Sequence, residues 1–128
     1  MVPEVYLDNS ATTRVRPEVV QAVVTIMEEN YGNPSTAYRR GQMAEQAVKK
    51  ARRQVARVLQ AEPEEIYFTS GGTESNNWAV MGTARARSRQ GKHLVTTQVE
   101  HPSVLAVFRS LEEQGFTVTY VPVNEYGV

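Results

Sequence analysis

Residues 64–80 read EEIYFTSGGTESNNWAV, and the fold turns on how this stretch is understood. A short apolar run, Ile66-Tyr67-Phe68, meets Ser70-Gly71-Gly72-Thr73, and residues of helical pattern follow at once. The run predicts a strand over 65–69 and the continuation a helix over 73–89. Onward from there, 93–97 reads as another strand. Pro102 opens a helix with Val104, Leu105, Val107, Phe108 and Leu111 on one side, Gly115 ends it, and 116–121 reads as a further strand. The order strand, helix, strand, helix, strand predicts parallel strands joined by right-handed crossovers. The fold class is α/β, expected as three layers, α/β/α, around a mostly parallel sheet. Such sheets are covered on both faces and have more strands than these 128 residues supply, so the sequence reads as the front part of a longer protein.

Upstream of that stretch the pattern is helical. Val5-Tyr6-Leu7 is a short extended run that ends in the turn cluster Asp8-Asn9-Ser10. Pro17 suits a first helical position, and Val19, Val20, Val23, Val24 and Met27 follow as one apolar stripe. Asn30-Tyr31-Gly32-Asn33-Pro34-Ser35 interrupts as a loop. A longer helix is expected over 38–60, with Met43, Ala47, Val48, Ala51, Val55, Val58 and Leu59 on one face. Its Lys49, Lys50, Arg52, Arg53 and Arg57 read as a solvated face rather than a phosphate comb. Glu45 stands four residues before Lys49, the spacing of a helical ion pair.

Composition removes several function classes. Fourteen Lys and Arg balance fourteen Asp and Glu, which argues against bulk attraction to nucleic acid or to an anionic membrane. The absence of Cys removes disulfides, thiolate metal sites and a thiol nucleophile from this chain. With His93 and His101 as the only histidines, a His-rich metal cage is not expected. Met1-Val2-Pro3-Glu4 has no secretory pattern and no apolar run reaches membrane-spanning length, so the expectation is a soluble, cytoplasmic protein.

Gly71 and Gly72 sit where a strand's carboxyl end meets a helix's amino end. Glycine permits positive φ and lets a ligand come close to the backbone. A helix's first turn has unpaired N–H groups and a partial positive charge. Together they make an anion site, most simply for phosphate, to which Ser70 and Thr73 add hydroxyls. A plain helix start, capped by Thr73 or Ser75 and helped by Glu74, explains one glycine and leaves the second idle. The residues alone keep both readings open. The ending Gly-Lys-Ser/Thr and the spacing Gly-x-Gly-x-x-Gly are both absent, against a nucleoside-triphosphate loop and a dinucleotide fold. His101, in Val99-Glu100-His101-Pro102-Ser103, follows the next strand and is expected at the same sheet edge. An imidazole there can stack on a flat ring or move a proton near neutral pH; the alternative is a surface His that starts a helix. His93 reads as surface. A phosphate cradle with a ring-stacking His points to a phosphorylated aromatic cofactor such as pyridoxal phosphate.

Four motifs in order then carry a resemblance that runs the length of the chain. They are Tyr6-Leu7-Asp8-Asn9-Ser10-Ala11-Thr12-Thr13, Tyr31-Gly32-Asn33-Pro34-Ser35, residues 68–77 (FTSGGTESNN), and Glu100-His101. The chain resembles the cysteine desulfurases, pyridoxal-phosphate enzymes of the class V aminotransferase group and of fold type I. The resemblance implies an amino-terminal arm over 1–13 and, over 14–128, part of the cofactor-binding large domain. It implies that Gly72 and Thr73 bind the pyridoxal 5'-phosphate ester, that His101 stacks on the ring and assists proton transfer, and that Asn33 faces the substrate. Members often carry His where this chain has Tyr38. None of Lys49, Lys50 and Lys92 matches the family's Schiff-base position, and that Lys, the Asp paired with the pyridine nitrogen and the sulfur-accepting Cys are expected beyond Val128. The whole enzyme would take sulfur from L-cysteine, leave L-alanine, and deliver the sulfur to a scaffold or acceptor protein for iron–sulfur or thio-cofactor assembly, while this segment alone would be inactive. A homodimer is implied, and exposed apolar surface predicts self-association of the segment. A selenocysteine lyase, an aminotransferase of the same group, and a non-catalytic phosphate-binding module are the alternatives.

Overall fold

The computed structural model describes residues 5–128. Met1-Val2-Pro3-Glu4, the start of the expected arm and the segment read for a secretory pattern, lies outside them. The chain divides into two compact units, Met1–Tyr67 and Phe68–Val128.

In the first unit, Asp8 starts a turn: its carbonyl accepts from the Ala11 N–H at 3.2 Å, and its carboxylate from the Ser10 hydroxyl at 3.0 Å. Helix α1, Pro17–Glu28, has proline at its first position, where a missing N–H costs nothing. Its apolar stripe is present but stays about half exposed at Val19, Val20 and Val23. Helix α2 spans Arg39–Leu59 and closes with Gln60 in the left-handed conformation, at φ 54°. The residues it buries are the small ones, Gly41, Ala44 and Ala56, while Val58 and Leu59 from the expected stripe are exposed. Small side chains are what a close backbone approach needs. At Gly41 a Cβ would collide with the Thr36 carbonyl and hydroxyl and lie 2.7 Å from the Asn33 carbonyl oxygen, so the 33–36 turn rests on the start of α2. Arg40 holds the same loop from the other side, with its guanidinium 4.7 Å from the centre of the Tyr31 ring and an N–H on the Glu29 carbonyl. The Glu45–Lys49 pair forms at 2.6 Å, as the spacing predicts, on an exposed surface where such pairs contribute little.

The strand expected over 65–69 does not form. A single 3₁₀ turn, Pro63–Glu65, leads into an extended Ile66, with φ −95° and ψ 121°, and residues 66–69 stay outside any ladder. A strand is defined by a partner as much as by its own dihedrals. Among the described residues the only pairing joins two other strands, and the Ile66 carbonyl accepts instead from the Arg52 guanidinium.

The second unit carries the α/β fold. Its elements are α3 (Gly72–Arg87), β1 (His93–Thr97), α4 (Pro102–Glu113) and β2 (Thr117–Val121). β1 and β2 pair in parallel with Leu94 opposite Val118 and Thr96 opposite Tyr120, so α4 is the crossover. Alternation puts Leu94 on the face that packs against Ala84 of α3 and Val107 and Leu111 of α4; Val95, one residue on, is exposed. Leu111 is fully buried at the centre of this cluster, with Val80, Met81 and Phe116 around it. Gly115 turns the chain from α4 into β2 at φ 86°. Among the described residues, no helix is long and apolar enough to cross a membrane.

Candidate functional site

Gly72, Thr73 and His101 all belong to the second unit, at the amino-terminal ends of α3 and α4. The two helices pack on each other, and one hydrogen bond fixes their first turns side by side: the Asn76 side-chain amide donates to the Ser103 hydroxyl at 2.9 Å. The two helix starts therefore lie side by side, although only the loop before α4 follows a strand, since none forms over 65–69.

Thr69 braces the start of α3. Its hydroxyl donates to the Gly71 carbonyl at 3.2 Å and lies 2.7 Å from the Ser75 hydroxyl. The helix begins at Gly72 with Gly71 before it and no side-chain cap, so neither Thr73 nor Ser75 caps it and the plain-cap reading is not what forms. The first-turn N–H groups point out of the helix without an intrahelical partner. Neither glycine has a left-handed φ; positive φ among the glycines occurs at Gly115 and Gly127. A Cβ at Gly71 or Gly72 would meet nothing within 4 Å. The doublet is thus not required by the backbone or by neighbours. What it leaves is bare backbone in front of the helix's positive end, which is the condition for an anion to reach those amides.

Ser70 departs from expectation. Its N–H and its hydroxyl both donate to the same carboxylate oxygen of Glu74, at 2.6 and 2.8 Å. Its hydroxyl is committed within the loop, and Thr73 is left as the hydroxyl at the helix start. Glu74 ties the loop back onto the first turn. The Ser70 backbone bond, then the Ser70 hydroxyl bond, stabilise the ionised carboxylate and hold its pKa below the ordinary 4.5, against a smaller opposing effect of burial. A depressed carboxylate contributes to the folded loop above the unfolded value, and that contribution is lost as pH falls through the folded value. A carboxyl titration of Glu74 followed by NMR is expected to give a midpoint below 4.5, together with a loss of Ser70 amide protection relative to its intrinsic exchange rate as Glu74 protonates; a midpoint at or above 4.5 removes the clamp.

His101 is the N-cap of α4. Its Nδ1 accepts from the Ser103 N–H at 3.1 Å and lies 2.8 Å from the Ser103 hydroxyl. The helix-start role and an exposed ring coexist, because the cap uses one nitrogen and leaves Nε2 and both ring faces. His93 lies on the exposed face of β1 with Nε2 2.8 Å from the Thr119 hydroxyl across the pair.

Asn33 belongs to the first unit. Its side-chain oxygen accepts from the Ser35 N–H at 2.9 Å and its carbonyl from the Thr36 hydroxyl at 2.7 Å. The side chain therefore builds its own turn and still presents the Nδ2 amide. Among the described residues, no group of three or more His, Asp or Glu side chains could hold a metal ion. Asn76 and Ser103 lie within the stretches 68–77 and 99–103, but sequence alone assigns neither a role there, because polar residues near helix starts are too common to mark a bridge between helices.

The aminotransferase class-V family matches residues 5–128. A cysteine desulfurase, IscS, of Methanosarcina thermophila is 54% identical over 124 residues, covering 97% of this chain and 31% of its own length. IscS of Clostridium botulinum (strain Hall) is 46% identical over 127 residues, covering 99% of this chain and 32% of its own. Among solved structures, a NifS-like protein superposes with a TM-score of 0.86 at 43% identity, over 93% of this chain and 33% of that one. SspA in complex with cysteine superposes at 0.82 with 40% identity, over 91% of this chain and 33% of that one. The chain spans about a third of the length of the relatives it matches.

Proposed function

The chain belongs to the aminotransferase class-V family, and from that premise we propose that it is the amino-terminal part of a pyridoxal-phosphate-dependent cysteine desulfurase. The fold, that of the front part of a fold-type I enzyme, agrees with the NifS-like structure. The single observation that carries the reading is the uncapped, glycine-bared start of α3 bonded to the α4 start that holds His101. Residues 1–13 are the arm and 14–128 part of the cofactor-binding large domain.

These residues fit pyridoxal 5'-phosphate on chemical grounds. The amides of Gly72 and Thr73, with the Thr73 hydroxyl, hold the phosphate at the positive end of α3. The His101 ring covers one face of the pyridine and, from Nε2, holds or passes a proton. Asn33 offers its Nδ2 amide to the substrate. When bound, pyridoxal phosphate supplies an electron sink for bond breaking in an amino acid. In the overall reaction the C–S bond of L-cysteine breaks, a proton replaces sulfur on carbon to give L-alanine, and the sulfur atom ends on a cysteine thiolate as a persulfide. This chain has no Cys, so the thiolate comes from the remainder of a longer polypeptide, and the Schiff-base Lys is assigned there as well because none of Lys49, Lys50 and Lys92 matches the family's position. The persulfide then passes to a sulfur-acceptor or scaffold protein for iron–sulfur or thio-cofactor assembly, from a cytoplasmic homodimer. L-cysteine as substrate is supported by the solved relative described in complex with cysteine.

The test is product analysis on the whole polypeptide that contains this segment. With L-cysteine, alanine and protein-bound sulfur are expected in equal amounts. A keto acid instead marks an aminotransferase, activity confined to selenocysteine marks a lyase, and no turnover of any of these marks a binding module; each overturns the proposal.

A further inference from the structure

His101 is not held by its own helix alone. The Ser103 backbone N–H faces Nδ1 at 3.1 Å, and a backbone N–H can only donate. Nδ1 is therefore the acceptor, and the neutral ring carries its proton on Nε2. The Ser103 hydroxyl lies 2.8 Å from the same nitrogen, so its one proton also points there. Behind it, the Asn76 amide donates to the hydroxyl oxygen at 2.9 Å. The bonds run one way: Asn76 Nδ2–H to Ser103 Oγ, then Ser103 Oγ–H to His101 Nδ1. Asn76 lies one turn into α3, on the helix whose first residues are Gly72 and Thr73.

We infer that Asn76 and Ser103 are positioning residues that fix the tautomer and orientation of the His101 ring from α3, so that the helix start and the imidazole are set in register by one hydrogen-bond chain. The use of that ring rests on the cofactor reading above; its tautomer does not. Two donors on Nδ1 leave a single outward polar atom, Nε2–H, and prevent the ring from flipping without losing both bonds. A ring so held presents its face at no further entropic cost when a flat ligand arrives.

The experiment uses ring-nitrogen NMR of the chain labelled at histidine, with both rings neutral. His101 is expected as the Nε2–H tautomer, with Nδ1 shifted from the position of an unbonded imidazole. Ser103→Ala is expected to move Nδ1 toward the unbonded position and leave His93 unchanged, and Ser103→Thr to keep the original signal. In Asn76→Asp the carboxylate takes the Ser103 hydroxyl proton, so Nδ1 is expected to shift although residue 103 is intact. An Nδ1–H tautomer, a silent Ser103→Ala, or a silent Asn76→Asp overturns the inference. In the holoenzyme, Ser103→Ala is expected to weaken pyridoxal-phosphate retention by up to about tenfold, the effect of one hydrogen bond. If the ring signals behave as expected and retention is unchanged, the positioning stands and the cofactor reading is what fails.

Discussion

Leu111→Ala is expected to destabilise the second unit by about 2–5 kcal/mol, the range for emptying a fully buried leucine site. Leu111 is the largest side chain in a small cluster whose other buried members are Ala84 and Val107. Ala84 and Val107 are too short to fill the space left, and a cavity term adds to the lost transfer energy to the extent that Val80, Met81, Leu94 and Phe116 do not close in. The cluster is also what holds α3 to α4, and the candidate site consists of the first turns of those two helices. Loss of this packing therefore removes the alignment of Gly72 with His101 as well as stability. Trp78, the chain's only tryptophan, lies in α3, and its fluorescence follows this unit through a urea titration. A change below 1 kcal/mol would mean that the cluster is not the core.

Gly41→Ala is expected to destabilise the first unit by about 1–3 kcal/mol or more, the cost of overpacking. Helix propensity alone predicts the opposite sign, a gain of about 1 kcal/mol. The decision rests on what the methyl would meet. The nearest atoms are the Thr36 hydroxyl and the carbonyls of Thr36 and Asn33, and two of these three are backbone atoms that cannot rotate away. Relief requires the 33–36 turn to shift away from α2 and the Thr36 hydroxyl, now on the Asn33 carbonyl, to give way. Circular dichroism through a urea titration distinguishes the two signs; an unchanged or raised midpoint refutes the close approach.

The parts legible in the sequence were those governed by local rules. Pro102 and Gly115 bracket α4 because one lacks an N–H and the other accepts φ 86°. The alternation in HLVTT gives β1 over 93–97 as predicted. The run at 66–68 has the same composition as a strand and is not one, because strand formation needs a ladder partner that composition cannot supply. Of the two reasons the sequence offers for the glycine doublet, positive φ is not used and only the openness of its backbone is present. Ser70 was assigned to the ligand side, whereas Glu74 four residues on takes both its donors. The Asn76–Ser103 bridge joins residues 27 apart in the sequence and depends on how α3 meets α4, which no local pattern encodes.

The most direct measurement of the central claim is an amide-shift titration of the chain with pyridoxal 5'-phosphate, repeated with Thr73→Ala. The amides of Gly71, Gly72, Thr73 and Glu74 and the His101 ring are expected to shift together. Loss of the Thr73 hydroxyl is expected to weaken binding by about 10- to 150-fold, the value of a hydrogen bond to a charged group. Shifts confined to the neighbourhoods of Lys49, Lys50 and Lys92, with the amides of 71–74 and His101 silent, would contradict it.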